Sequence, residues 1–92
     1  MSKDGRRPAL VVSPRMFTEN TGFAVVCPVI SRLRPFPTSV VLPDGLPVSG
    51  EVLTSHVRSK DTLSRPIRPV GAAVPLEVAQ LVRAKLNTFI TI

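Results

Sequence analysis

The sequence predicts a mainly-β (α+β) domain: a small barrel or sheet of short strands with one helix packed on it at the C-terminal end. Three observations carry this. The apolar runs are short and stop at turn-forming residues, as strands of a small β domain do. Ten prolines and five glycines in 92 residues interrupt the chain too often for long helices. Apolar spacing becomes helical only from Pro75 onward.

In chain order, the first six residues are mostly polar and are expected to be mobile. Arg7-Pro8 leads into Ala9-Leu10-Val11-Val12-Ser13, a buried strand closed by Pro14. Arg15 to Gly22 is largely polar, with Asn20-Thr21-Gly22 supplying turn chemistry. Phe23 to Ile30 forms a second buried strand, in which Pro28 marks an edge, a bulge or the strand's end. Ser31 to Pro37 is a basic, proline-stiffened loop, and Thr38 to Leu42 a third strand. Pro43-Asp44-Gly45 punctuates it with a turn. Gly50 to Leu53 makes a fourth strand, and His56-Val57-Arg58 continues extended. A last short strand is expected across Ile67 to Ala73, around Pro69 and Gly71.

The helix spans 75–90. Pro75 suits the first helical position, where a missing N–H costs nothing. Glu77 sits near the positive end of the helix dipole, and Arg83 and Lys85 toward the negative end. Val78, Leu81, Val82, Leu86 and Phe89 recur at helical spacing and form a packing face.

Residues 1–92 are read as one domain. A chain of this length buries roughly 60–65% of its unfolded surface, so a dimer interface would add to a modest core. An apolar content of 43% argues against disorder. The longest uncharged run, Asn20 to Ser31, is shorter than the roughly 20 residues a bilayer-spanning helix needs. No apolar stretch of signal-peptide length follows the basic start, because Pro14 and Arg15 interrupt it. The expected location is cytoplasmic, with no membrane partner.

Twelve Lys and Arg against six Asp and Glu give a net charge of +6, which favours a polyanionic partner. Nine of the twelve are arginines, whose planar fork of donors suits phosphate. Four Phe with no Tyr or Trp leave little for a base-stacking platform. One His, one Cys and scattered carboxylates offer no ligand set with zinc-type spacing, and the isolated glycines make no phosphate loop. No metal or cofactor is therefore expected. Cys27 lies in an apolar run, where a buried inert thiol is the default. A lone histidine such as His56 is by default a surface or structural residue. Ser13, His56 and Asp61 are nominally a triad set, but nothing around them resembles a nucleophile elbow. What remains is arginine plus hydroxyl chemistry. RNA can be cut without a metal, because its own 2′-OH attacks the adjacent phosphate and the protein need only stabilise charge and move protons.

Gly5-Arg6-Arg7-Pro8-Ala9-Leu10-Val11-Val12-Ser13-Pro14 resembles the G-x-R-P-A-[VL]-V-[VL]-S-P signature of MazF/PemK toxins. Asn20-Thr21-Gly22, the strand ending Cys27-Pro28-Val29, and Pro37 to Leu42 follow at family-like spacing. Ser49 to Leu53 with Val57-Arg58-Ser59, and then Val74 to Leu86, resemble the family's later strands and terminal helix. The resemblance implies an SH3-like barrel with a terminal helix, a homodimer, and metal-independent cleavage of single-stranded RNA to a 2′,3′-cyclic phosphate. It also implies a cognate antitoxin that blocks the RNA groove. Arg7 then matches the catalytic arginine, Arg6 lies beside it, and Ser31, Arg32 and Arg34 fall in the loop lining the RNA site. Arg58 is a further RNA contact.

Three departures accompany the match. Ile30 stands where the family carries its catalytic threonine, which leaves Ser31 as the substitute hydroxyl. Losing one preorganised transition-state donor costs on the order of 10²–10³ in rate. Relatives begin with roughly twenty more residues, including a first strand, so a barrel lacking that strand is expected to show an open edge. Lys60 occupies a position that is usually apolar and needs an outlet for its ammonium. Two functional readings follow: a toxin nuclease weakened or silenced at Ile30, or a non-catalytic relative that binds nucleic acid or an antitoxin.

Overall fold

The computed structural model describes residues 2–3, 7–31, 37–70 and 73–90, with only the backbone of Ser2 and Lys3. The elements are β1 (Ser2–Lys3), β2 (Pro8–Val11), α1 (Arg15–Thr21), β3 (Phe23–Ile30), β4 (Ser39–Val41), β5 (Glu51–Leu53), a 3-10 turn (Thr54–His56), β6 (Arg58–Asp61), β7 (Arg68–Pro69) and α2 (Leu76–Phe89). The strands form one antiparallel sheet in the order β4-β5-β3-β2-β1-β7, with β6 also paired to β3.

β3 is the longest strand and pairs along both edges. One edge takes β2, with Ala9 opposite Pro28 and Val11 opposite Val26. The other edge takes β5 at Val29 and Ile30, and β6 from Phe23 to Val26. Between these two pairings, three steps along β3 correspond to six along its partner, from Val52 to Arg58. The 3-10 turn absorbs the excess. Val12 N–H donates to Val25 O (2.8 Å), so odd positions of β3 turn their backbone groups toward β2. The donor that Pro28 lacks would therefore have faced the 3-10 turn. The ladder is interrupted where the proline cannot bond, which is why a proline is tolerated inside a strand paired on both edges.

Alternation along β3 divides the sheet into two faces. Cys27 and Val29 face the core with Leu10, Val40, Leu42 and Val52, and α2 closes that face with Val78 and Val82. Each valine buried this way contributes about 1.5 kcal/mol or more relative to exposure. The stripe on α2 is narrower than the sequence predicts. Leu81 and Phe89 are 53% and 41% exposed, because Val78, Val82 and partly buried Leu86 already fill the row that meets the sheet. Lys85 Nζ donates to Pro37 O (2.8 Å) and ties the helix to the approach of β4. Thr54, fully buried, donates its hydroxyl to Thr38 O and anchors the 3-10 turn to the same approach.

Several expectations change in detail. Arg15 to Thr21, where the sequence shows largely polar residues and turn chemistry at its end, is a helix closed by Gly22 at φ +80°, a left-handed cap that glycine adopts without strain. Pro75 lies just outside α2, at φ −57° and ψ 152°, rather than in its first position. His56 belongs to the 3-10 turn, and extended structure resumes only at Arg58. Of the strand expected across Ile67 to Ala73, Arg68–Pro69 forms β7, Ile67, Val70 and Ala73 are not in a strand, and Gly71 and Ala72 lie outside the described residues. Within the start expected to be mobile, Ser2–Lys3 pairs with Pro8–Ala9 on one side and Arg68–Pro69 on the other. The sheet is also open rather than a closed barrel. Closure needs the outer edge of β7 to meet a strand from the β4–β5–β6 side, and no such pairing exists among the described residues.

Two positions carry local cost. Gly50 sits at φ +128°, and a methyl group there would run into the backbone carbonyl of Ile30. Gly50→Ala is expected to destabilise the fold by at least about 2 kcal/mol, measured by denaturant unfolding. Glu51 is 2% exposed, and its Oε1 has no hydrogen-bond partner. Its cross-strand neighbours are Ile30 and Val41, so Glu51→Val should fit the sheet and raise stability by about 1–3 kcal/mol in the same measurement.

Candidate functional site

The face of the sheet opposite α2 carries a groove of about 720 Å³. Its floor is Ala9 on β2 and Val26, Pro28 and Ile30 on β3, the even-numbered face of that strand. Its walls are basic. Continuing the Ala9–Pro28 register by two residues sets Arg7 opposite Ile30 at the head of β2. Arg58 lies opposite Val26, and Lys60 opposite Ala24, on β6. Arg65 enters from the turn after β6, and His56 from the 3-10 turn.

The turn that delivers Arg65 is organised by Asp61. Asp61 Oδ1 accepts from the N–H groups of Leu63 (3.0 Å) and Ser64 (3.3 Å), and Oδ2 accepts from Ser64 Oγ (2.8 Å). Arg65 N–H then donates to Asp61 O (3.1 Å). The Ser64 hydroxyl first, and then the two amides, hold the Asp61 carboxyl below its ordinary value of 3.8. Thr62 closes the other side, donating N–H (2.9 Å) and Oγ1 (2.6 Å) to Gly22 O.

Arg7, Ile30 and Arg58, singled out from the sequence, line this groove together. Ser31 is exposed one residue past the end of β3, where the chain has left strand geometry, and it does not line the groove. Arg6, Arg32 and Arg34 lie outside the described residues. Lys60 does not enter the core. It is half-buried on the groove face, and the groove is the outlet its ammonium needs. Arg65 has no assignment from the sequence, and His56 is expected there to be a surface or structural residue. Asp61-Thr62-Leu63-Ser64 is a turn signal that could have placed Arg65 after β6. Nothing local announces the 3-10 turn that turns His56 into the groove.

Cys27 takes no part. It is buried in the helix-side core, and loss of solvation pushes its thiol up to about 11. Among the described residues no cluster of three or more His, Cys, Asp or Glu could hold a metal ion. No described helix is long and apolar enough to cross a membrane.

The fold and groove define a small open antiparallel sheet with one face packed by a helix and the other laid out as a cationic channel. Comparison with known proteins places it. Residues 2–90 match the family described as the PemK-like, MazF-like toxin of type II toxin-antitoxin systems. The endoribonuclease toxin MazF of Escherichia coli K12 is 35% identical over 86 residues, covering 94% of this chain and 76% of the relative. A crystal structure of MazE–MazF from Deinococcus radiodurans superposes with a TM-score of 0.86 at 45% identity, covering 94% of this chain and 83% of that one. A mycobacterial endoribonuclease in complex with its cognate antitoxin shares the fold, with a TM-score of 0.78 at 20% identity over 91% of this chain and 80% of its own. The chain belongs to the MazF-like endoribonuclease toxin family.

Two outcomes follow from this geometry. Iodoacetamide at pH 8 is expected to leave native Cys27 unmodified and to alkylate it after denaturation, as read by mass spectrometry. Asp61, with its folded value lowered, stabilises the turn above pH 3.8, and that contribution is lost as pH falls through the lowered value. Asp61→Ala should lower the thermal midpoint at pH 7, and the gap to wild type should close as pH is taken below 3.8.

Proposed function

We propose that this chain is a metal-independent endoribonuclease that cuts single-stranded RNA across the basic groove. The observation that supports it best is the placement of Arg7, the residue matching the family's catalytic arginine, beside an apolar floor ringed by three further cations. Such a channel draws in a polyanion and neutralises several of its phosphates at once. Arg7 would face the developing charge on the phosphorane oxygens with a rigid fork of donors. The 2′-OH of the substrate supplies the nucleophile, so the products are a 2′,3′-cyclic phosphate and a 5′-hydroxyl. Arg58, Arg65 and Lys60 hold the strand on either side, while Arg6, Arg32 and Arg34 remain proposed contacts on sequence grounds. The proposed protein partners are a MazE-type antitoxin seated over this groove and a second copy of the chain. The first draws support from the similarity to MazE–MazF.

Ile30 favours a second reading. Its side chain lies in the groove directly across from Arg7, where an ethyl group replaces the hydroxyl expected of the family. On that reading the groove binds RNA and the chain cuts it slowly or not at all, with Ser31 standing in only if the loop brings it back.

One assay separates these. Wild type, Ile30→Thr and Arg7→Ala are each incubated with mixed-sequence single-stranded RNA in EDTA. Ile30→Thr is expected to cut on the order of 10²–10³-fold faster than wild type, and Arg7→Ala to cut no RNA. Equal rates for wild type and Ile30→Thr would remove Ile30 from the site, and an active Arg7→Ala would remove Arg7 from the mechanism.

A further inference from the structure

We propose that His56 is the general base of this groove, taking the proton of the attacking 2′-hydroxyl; the inference rests on the nuclease reading above. The first support is elimination. Among the described residues, the groove-lining side chains that carry nitrogen are Arg7, Arg58, Lys60, Arg65 and His56. The first four are cationic donors without an acceptor, and only an imidazole offers a lone pair. The reaction needs such a group, since a 2′-hydroxyl must lose its proton as its oxygen attacks.

The second support is placement. The 3-10 turn occupies the edge of β3 opposite the one that β2 takes, so His56 and the Arg7 end of β2 stand on either side of Pro28. Two strand spacings separate them, about 10 Å between backbones. The floor between is Ala9 and Pro28, which have short or folded-back side chains and leave room for one phosphodiester. Arg7 would then meet the phosphate from one wall and His56 the ribose from the other.

The third support is that the turn is held in place. Thr54, with no exposed surface, donates to Thr38 O, and Val57 N–H donates to Thr54 O (3.2 Å). The imidazole is exposed, and its Nδ1 lies 3.4 Å from Ser55 Oγ; in the tautomer whose Nδ1–H donates to that hydroxyl, Nε2 carries the lone pair the role requires. Among the described residues, no acid on the packed elements lines the groove beside it. Glu51 on β5 is buried and does not line the groove, and Glu77, Arg83 and Lys85 on α2 do not line it either.

The step balances within substrate, protein and water. The 2′-oxygen forms a bond to phosphorus as its proton passes to Nε2. The P–O5′ bond breaks, the departing oxygen takes a proton from water, and the imidazolium returns its proton to the hydroxide left behind.

His56 is the only histidine in the chain, so its Cε1–H gives a single, unambiguous NMR signal. The test combines three readouts on the full chain: the pH–rate profile of RNA cleavage in EDTA, affinity for an uncleavable 2′-O-methyl RNA, and the His56 signal as that RNA is added. His56→Ala and His56→Gln are expected to cut about 10²–10⁴-fold more slowly with affinity unchanged. The wild-type rate should fall toward acid pH as the base becomes protonated, and the residual rate of His56→Ala should lack that limb. The His56 signal should move on binding. Both variants cutting at the wild-type rate with the wild-type pH profile, while Arg7→Ala is inactive, would overturn the role of His56 and leave the nuclease reading standing. A wild type that cuts no RNA and whose His56 signal stays still would overturn both.

Discussion

The pairing of β3 on both its edges is the constraint on which the rest of this structure depends. Its Cys27 and Val29 join the helix-side core, and Val26, Pro28 and Ile30 supply the groove floor, which Val29 also borders. A one-residue slip of this strand would exchange the two sets, setting Cys27 and Val29 against the basic walls and Pro28 against α2. Because β3 is apolar on both faces, its register is held by its pairing with β2, β5 and β6, and that pairing also fixes which face carries the groove. Core packing and the chemistry of the groove are two consequences of the same alternation.

Pro28 and the 3-10 turn show how an imperfection in the ladder becomes useful. A proline inside a paired strand removes one hydrogen bond. The partner segment responds by looping three extra residues away at that point, and Thr54 satisfies its own buried hydroxyl by reaching to Thr38. The looped residues carry His56 over the groove. A regular β5–β6 strand would instead have filled the same edge with ladder bonds and left no turn there.

The groove's cations repel one another, so gathering Arg7, Arg58, Lys60 and Arg65 on one face opposes folding unless counter-ions or a polyanion screen them. The helix-side core offsets that repulsion, and a bound phosphate backbone would reverse its sign. The buried carboxylate of Glu51 adds to the cost from beside the floor, with an oxygen unpaired in the structure. Stability and site are therefore balanced across a sheet only one strand layer thick.

The boundaries of β3, the position of α2, the dominance of β structure and the resemblance to MazF-like toxins were all legible in the sequence. Each rests on local information: apolar runs, turn residues, helical spacing, and the order of short motifs around Arg7-Pro8. The helix Arg15–Thr21 was not legible, because it buries no residue and so has no apolar stripe to show. Ser2–Lys3 was not legible either, since two polar residues joined to β2 and β7 by backbone bonds leave no side-chain pattern. For the proposed site, the sequence by itself pointed to Arg7, to Ile30 and to the excess of positive charge. Only the tertiary structure decided that Lys60 escapes the core, that Arg65 and His56 join Arg7, and that the sheet stays open. Those outcomes depend on register and on pairing between distant segments, and a strand's sequence does not state which edge its neighbour will take.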